Sequence, residues 1–273
     1  MLNQKTWEAL WLGIVQGITE FLPISSDGHL AVVHALMKSG KTESSGEDPV
    51  ELFMVLHLGT LLSILVVYRR QIFDLVKQPR LCGLIVLATI PVVIVGLFFK
   101  DFFDSALQNP LIAGIGFLIT AGFLIAAERL ETQRIPLEQL NWRQALAIGT
   151  FQTLAPLPGV SRSGTTISTA LMLGLQRNAA TTFSFLLAIP AIGGACALML
   201  KDLLKDVLSG QSRSNEILPL AVGGVTSFVV GWLCLQWLIR IVARGKLRWF
   251  AAYLLVIGTA TVIWQLVAPT PHA

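Results

Sequence analysis

Charged residues are scarce in this sequence of 273 residues, and their scarcity excludes several classes of protein. Only 13% of the residues are charged and 54% are hydrophobic, whereas soluble domains hold roughly 25% charged and roughly 45–50% apolar residues. A single globule of this size cannot hide so many apolar side chains in its interior. The composition therefore excludes an ordinary soluble domain and indicates lipid as a second apolar solvent.

Cysteine and clustered positive charge are scarce as well. The three cysteines, Cys82, Cys196 and Cys234, each lie inside an apolar segment without metal-ligand or redox spacing, so we interpret them as packing residues. The net charge is +4, but the basic residues are dispersed between apolar runs rather than gathered in a patch. This distribution argues against a nucleic-acid partner. No small-residue cleavage site follows the first apolar stretch, so no cleavable signal peptide is predicted.

Long apolar runs are what the sequence has in place of charge. A bilayer core of about 30 Å requires about 20 apolar residues per helix. Six stretches meet this requirement and are predicted to span a membrane: about 51–68, 81–99, 110–127, 181–200, 217–240 and 249–268. The predicted fold class is therefore an all-α polytopic membrane protein with six transmembrane helices.

Two further apolar regions, about 7–37 and 142–175, are broken in the middle by proline, glycine, serine and charged residues. The first break runs from Pro23 to His29 and the second from Pro156 to Gly164. Proline and glycine at this density end a helix. Irregular backbone at membrane depth survives only where it is buried in protein or lines a wet cavity. Both regions are therefore predicted to be re-entrant helix–loop–helix hairpins.

The sequence repeats itself at an offset of 136 residues, which is half its length. The superposed residues include Gly13 on Gly149, Gln16 on Gln152, Ser25 on Ser161 and Gly28 on Gly164. Each half then holds one hairpin followed by three spans, and an odd number of spans inverts the second half relative to the first, as in inverted-repeat transporters. We predict one membrane domain over residues 1–273, built from inverted repeats of about 1–136 and 137–273.

The distribution of lysine and arginine indicates the orientation. With both chain ends outside, the connections on the inside hold most of these residues, as the positive-inside rule requires. In this orientation the two hairpin tips enter from opposite faces and meet near the midplane of the membrane.

Ionisable residues in the two breaks carry the functional prediction, because such groups are costly in a membrane and mark function by default. The first hairpin contains Glu20, Asp27 and His29, and the second contains Arg162. The neutral polar residues around them are Gln16, Thr19, Ser25, Ser26, Gln152, Ser161, Ser163, Thr165 and Thr166. Together these groups suit a phosphate ligand. A guanidinium binds phosphate through its planar fork, and exposed amides before a helix bind its oxygens.

The same residues suit catalysis on a phosphate. Carboxylates hold a divalent cation that bridges a diphosphate, His29 suits a general acid or base, and a serine suits a nucleophile. Structural roles compete, because the Ser25–Ser26 pair and Asp27 also suit an N-terminal helix cap. Gln16 and Gln152 also suit hydrogen bonding between the hairpins. His57 lies in an apolar span without a motif, so we assign it a structural role.

Both breaks resemble motifs of a known family. The run Gln16-Gly-Ile-Thr-Glu20-Phe-Leu-Pro-Ile-Ser-Ser-Asp-Gly-His29 resembles the first motif of the undecaprenyl-diphosphate phosphatase family, the one associated with bacitracin resistance. The run Pro158-Gly-Val-Ser-Arg-Ser-Gly-Thr-Thr166 is similar to its second motif, Pro-Gly-x-Ser-Arg-Ser-x-x-Thr. The likeness covers the whole chain, including the Ser-Phe-Leu-Leu-Ala-Ile-Pro stretch at 184–190.

The resemblance implies hydrolysis of undecaprenyl diphosphate to the monophosphate, with a divalent cation, Mg²⁺ or Ca²⁺, as cofactor. It implies Glu20, Ser26, His29 and Arg162 as catalytic residues. The residues implied to bind substrate are Gln16, Ser25, Gln152, Ser161, Ser163 and Thr166. Gln16 stands where many members have Glu, and Asp27 stands where an uncharged residue is common. Either Asp27 joins Glu20 as a metal ligand, or it faces water at the mouth of the site.

The resemblance also implies where in the cell this activity takes place. A lipid substrate implies the bacterial inner (cytoplasmic) membrane, with the active site toward the periplasm or exterior. Whether the protein forms a homodimer is left open. A second hypothesis is a secondary transporter or lipid flippase, motivated by the inverted repeat and the paired hairpins. An intramembrane serine protease using Ser26 and His29 is disfavoured, because a protease has no use for Arg162.

Overall fold

The computed structural model describes residues 4–39, 50–75, 77–107, 109–208, 217–243 and 245–267. Over these ranges the regular elements are twelve α-helices, a short 3₁₀ helix at Leu137–Gln139 and one isolated parallel β-bridge between Ile135 and Leu175. The α-helices are α1 (Gln4–Thr19), α2 (Ser26–Ser39), α3 (Val50–Val67), α4 (Arg69–Leu75), α5 (Pro79–Phe98), α6 (Lys100–Leu107), α7 (Pro110–Leu130), α8 (Trp142–Gln152), α9 (Arg162–Met172), α10 (Arg177–Leu208), α11 (Ile217–Ala243) and α12 (Leu247–Val267). The all-α fold class is confirmed for the described residues.

Five of the described helices are long and apolar enough to cross a membrane, namely α5, α7, the Arg177–Ala197 part of α10, α11 and α12. Each coincides with a predicted span. The predicted span at 51–68 corresponds to α3, which bends by 74° at Tyr68 into the short helix α4, and the bent pair counts as a sixth candidate span. The chain is thus a multi-pass membrane protein.

The two broken regions are helix–loop–helix segments, as their proline and glycine content predicts. The first pair is α1 and α2, joined by residues 20–25, and the second is α8 and α9, joined by residues 153–161. The backbone turns through the left-handed region at Ser25 (φ 69°) and at Gly159 (φ 85°). Their re-entry from opposite membrane faces stays a prediction.

The first helix of each broken pair packs against a span that belongs to the other half of the sequence. Helix α1 packs on α11, and α8 packs on α5. Glycines at the offset of 136 make both contacts close, because a Cβ atom on Gly13 would lie 2.7 Å from the carbonyl oxygen of Gly223, and one on Gly149 would lie 2.1 Å from that of Ala88. The halves therefore interlock, with α7 against α12 as a further contact between them.

Several buried hydroxyl groups in these helices donate hydrogen bonds to carbonyl oxygens of their own helix. The hydroxyls of Thr19, Thr89 and Thr261 each donate to the carbonyl oxygen four residues earlier, at 2.7–2.8 Å. Such bonds remove the cost of an unpaired polar group in an apolar surrounding. Buried polar atoms that lack a partner therefore stand out in this fold.

Candidate active site

The two loops that break the hairpins meet in the structure. A Cβ atom on Gly28 would lie 2.7 Å from the Cα atom of Gly159, so only glycine permits this approach. The Ser163 hydroxyl donates to the carbonyl oxygen of Leu22 at 3.2 Å, which links the second loop to the first. The two motifs thus meet at one place, as the sequence predicts.

Glu20 is the centre of a cluster of polar side chains at this place. Its Oε2 atom accepts hydrogen bonds from the Gln16 amide at 3.1 Å and from the Ser26 hydroxyl at 2.7 Å. Its Oε1 atom accepts a charge-assisted hydrogen bond from Nη2 of Arg162 at 2.7 Å. The carboxylate is buried, so the ion pair with Arg162 compensates for its loss of hydration. These contacts join the first motif to the second through side chains that the sequence singles out.

Arg162 uses only part of its guanidinium in the protein. While Nη2 binds Glu20, the Nη1 atom is buried and has no partner among the described residues. A buried donor without a partner costs roughly 1–3 kcal/mol, and more for a charged group. Folding therefore leaves one N–H edge of the fork available to a ligand with acceptor oxygens, and a phosphate group supplies such oxygens in the matching geometry.

The helix that presents Arg162 is held by its own hydroxyl groups. Ser161 caps α9, because its Oγ atom accepts from the Gly164 amide at 3.0 Å, and its own amide donates to the hydroxyl of Thr120 on α7 at 2.9 Å. The Thr166 hydroxyl donates to the Arg162 carbonyl at 2.8 Å and lies 2.6 Å from the hydroxyl of Ser184. Ser161, Ser163 and Thr166 therefore fix the loop, and their predicted contact with substrate stays a prediction.

Ser25 holds the start of α2 in the equivalent way. Its Oγ atom accepts from the Gly28 amide at 3.3 Å, which is the geometry of an N-terminal helix cap. From the sequence alone, this structural role stays open beside substrate binding. The neighbouring Ser26 instead directs its hydroxyl to Glu20. The two serines thus have different partners, and Ser26 is the one placed beside the charged groups.

His57 lies in the cluster, although the sequence assigns it a structural role. Its Nδ1–H donates to the Phe53 carbonyl oxygen at 2.8 Å, and its Nε2 atom lies 3.2 Å from Oδ1 of Asp27 and 3.6 Å from Oε2 of Glu20. Carbonyl and carboxylate oxygens only accept, so this surrounding favours a proton on both ring nitrogens. One signal was available in the sequence, because an ionisable side chain inside an apolar span marks function by default.

His29 and Gln152 stand apart from the contacts around Glu20. The Nδ1 atom of His29 bonds the Ser25 carbonyl oxygen at 2.6 Å, and its Nε2 atom lies 2.7 Å from the hydroxyl of Tyr253 on α12. Gln152 is fully buried, and neither polar atom of its amide has a partner among the described residues. The structure thus places His29 one helical turn after Ser26, and Tyr253 is a neighbour that sequence reasoning missed.

The carboxylates fit a cation that takes most of its ligands from elsewhere. The described residues contain no group of three or more His, Cys, Asp or Glu side chains arranged to hold a metal ion. Glu20 and Asp27 do approach the same nitrogen of His57, so two carboxylates point toward one region. Mg²⁺ is often held by one or two carboxylates together with water and substrate phosphates. The donor set fits that mode of binding rather than an all-protein cage.

Comparisons with known proteins identify the family of this chain. The family model of the bacitracin resistance protein BacA matches residues 9–260. A protein of Rhodopirellula baltica named undecaprenyl-diphosphatase is 43% identical over 266 residues, which cover 96% of this chain and 99% of the relative. A protein of the same name from Carboxydothermus hydrogenoformans is 40% identical over 264 residues, covering 96% of this chain and 98% of the relative. The chain therefore belongs to the bacitracin resistance protein BacA family.

Proposed function

We propose that this protein hydrolyses undecaprenyl diphosphate to undecaprenyl phosphate and inorganic phosphate, which recycles the lipid carrier of peptidoglycan synthesis. The observation that carries the proposal is the guanidinium of Arg162, whose Nη2 atom binds Glu20 and whose buried Nη1 atom is left for an anion. Membership of the BacA family and relatives named undecaprenyl-diphosphatase support the same reaction.

Substrate binding follows from the position of Arg162 within an apolar bundle. The free Nη1 edge binds non-bridging oxygens of the terminal phosphate, and the low dielectric around it strengthens the attraction. The prenyl chain of the substrate stays in the lipid, against the apolar side chains exposed on the outside of the helices. Only the diphosphate has to reach the cluster.

Ser26 is the proposed nucleophile, and its contact with Glu20 supports this role. Its hydroxyl already donates to Glu20 at 2.7 Å, so the carboxylate receives the proton as the serine oxygen attacks the terminal phosphorus. The bond from that phosphorus to the bridging oxygen breaks, and undecaprenyl phosphate leaves. Water then attacks the phosphoserine and gives its proton to Nε2 of His29, which exchanges its hydrogen bond from the Tyr253 hydroxyl for one from that water. The Ser26 oxygen regains a proton from Glu20, inorganic phosphate is released, and His29 passes its proton to solvent.

A divalent cation, Mg²⁺ or Ca²⁺, completes the proposed site. Glu20 and Asp27 would hold it together with diphosphate oxygens. Such a cation neutralises charge on the diphosphate. Because His57 faces both carboxylates, it supplies positive charge to the same region.

The setting of the enzyme is part of the proposal. We place it in the bacterial inner membrane, with the site open to the periplasm or exterior, as the two family motifs imply. The inverted repeat and the homodimer stay predictions, as does the secondary transporter or lipid flippase that the repeat suggested.

The experiment that tests the function compares two lipids. Purified protein is expected to release phosphate from undecaprenyl diphosphate and none from undecaprenyl phosphate, and a chelator is expected to suppress the release until Mg²⁺ or Ca²⁺ is added back. Absence of phosphate release from the diphosphate would refute the proposed function. Release that survives complete chelation would refute the requirement for a divalent cation.

A further inference from the structure

His29 and Tyr253 form a pair that joins the two halves of the chain. The Nε2 atom of His29 on α2 lies 2.7 Å from the hydroxyl oxygen of Tyr253 on α12. The two rings are stacked, with centroids 5.7 Å apart and planes 8° from parallel. Phe117 on α7 covers the imidazole from another direction, with ring centroids 4.8 Å apart. The imidazole is thus restrained by a ring on each of two further helices.

The hydrogen bonds of His29 also determine which nitrogen carries the proton. Its Nδ1 atom lies 2.6 Å from the carbonyl oxygen of Ser25, and a carbonyl oxygen only accepts, so Nδ1 is the donor. In the neutral ring the lone pair is then on Nε2, and the Tyr253 hydroxyl donates to it. The Nε2 lone pair that a catalytic base requires is therefore held by the Tyr253 hydroxyl until the attacking water takes the place of that hydroxyl.

We propose that Tyr253 is a positioning residue for His29, and this inference rests on the proposed function. Tyr253 fixes the neutral imidazole as the Nδ1–H tautomer and aims its Nε2 atom along one direction, one helical turn from Ser26. The hydroxyl and the stacked ring divide this work, because the hydroxyl selects the tautomer and the ring sets the plane of the imidazole. Helix α12 contributes no residue of either motif, and Tyr253 is the residue through which it takes part in the reaction.

Kinetics of the Tyr253→Phe variant test the role of the hydroxyl, because phenylalanine retains the stacked ring. The expected result is a fall in kcat of about tenfold, the size of one lost hydrogen bond, with KM and thermal stability unchanged. Tyr68→Phe is the matched control, since Tyr68 is the other tyrosine of the chain and packs on Phe185 instead. An unaltered kcat in Tyr253→Phe, or a change confined to KM, would overturn the proposal. A fall in kcat that Tyr68→Phe reproduces would overturn it as well.

Nitrogen NMR of the full-length protein, labelled at histidine and held in lipid bilayers, tests the same claim without turnover. His29 is expected to show a protonated Nδ1, and its Nε2 resonance is expected to move in Tyr253→Phe and to stay in Tyr68→Phe. A His29 ring protonated at Nε2 alone, or an Nε2 resonance unaffected by Tyr253→Phe, would contradict the inference. Wild-type protein that binds but never hydrolyses undecaprenyl diphosphate would refute the proposed function, and the NMR result would still decide the position of the imidazole.

Discussion

Two adjacent serines have different partners, and this difference separates a catalytic role from a structural one. The Ser26 hydroxyl donates to Glu20, whereas the Ser25 hydroxyl caps α2 by accepting from the Gly28 amide. Ser26→Ala is expected to lower kcat by about 100-fold or more, because it removes the proposed nucleophile. Ser25→Ala is expected to keep most of the activity and to lose about 1 kcal/mol of stability. Steady-state kinetics and thermal unfolding of both variants check this, and the reverse order of effects would contradict the assignment.

His57 contributes a positive group to the two carboxylates of the site. His57→Ala is expected to lower kcat/KM by about tenfold, since it removes a charge-assisted contact worth about 1.5 kcal/mol. His57→Gln should recover part of the loss, because glutamine keeps an N–H donor for Asp27. Kinetics on undecaprenyl diphosphate measure both. If His57→Ala matches the wild type, the histidine has the structural role that its sequence context suggested.

Single residues also show the limit of inference from one sequence. Glu20, Ser26 and Arg162 could be predicted, because an ionisable or hydroxyl group beside proline and glycine in an apolar run has few structural explanations. His57 and Tyr253 belong to no motif. They reach the site because α3 packs on α1, and because α12 packs on α7, which also contacts α2. Their side-chain partners are far away in the sequence, so neither spacing nor periodicity points to them.

Close packing of helices from opposite halves is the main feature at the element scale. Gly149→Ala would place a Cβ atom 2.1 Å from the Ala88 carbonyl oxygen, whereas a Cβ atom on Gly122 would meet no atom within 4 Å. Gly149→Ala is expected to destabilise the protein by about 1–3 kcal/mol through overpacking of α8 on α5. Gly122→Ala is expected to be neutral or stabilising, because alanine favours a helix. Thermal unfolding in detergent compares the two, and equal stabilities would mean that α8 and α5 are not in close contact.

Helix positions were predictable where composition alone decides them. The proline and glycine of the two breaks located both loops, although α2 already begins at Ser26 and α9 at Arg162, inside the predicted breaks. Five apolar runs marked five helices long enough to span a membrane. The ends were less predictable, because an apolar run marks the part of a helix that suits lipid rather than the whole helix. Thus α10 begins at Arg177, although its apolar run begins near residue 181. The bend between α3 and α4 was not expected, since nothing in the run up to Tyr68 breaks a helix.

Orientation is a property of the whole molecule, and the charge distribution predicts it. Lys77 lies in the exposed turn between α4 and α5, and Lys100 lies at the exposed start of α6. In a background without Cys82, Cys196 and Cys234, a membrane-impermeant thiol reagent added outside intact cells is expected to label Lys100→Cys and not Lys77→Cys. The opposite labelling pattern would show that the orientation is the reverse, with the active site facing the cytoplasm.

The central claim is that a phosphatase site forms between two motifs, with Arg162 binding the phosphate. Phosphate release from undecaprenyl diphosphate by purified wild type, Arg162→Lys and Arg177→Lys tests it most directly. Arg177 is the matched control, because it forms a half-buried ion pair with Glu131 that shares no residue with the Glu20 cluster. The wild type should release phosphate and undecaprenyl phosphate in equal amounts. Arg162→Lys should be slower by about 100-fold, since lysine lacks the planar fork, while Arg177→Lys should keep its rate per folded molecule. Release by Arg162→Lys at the wild-type rate would contradict the account.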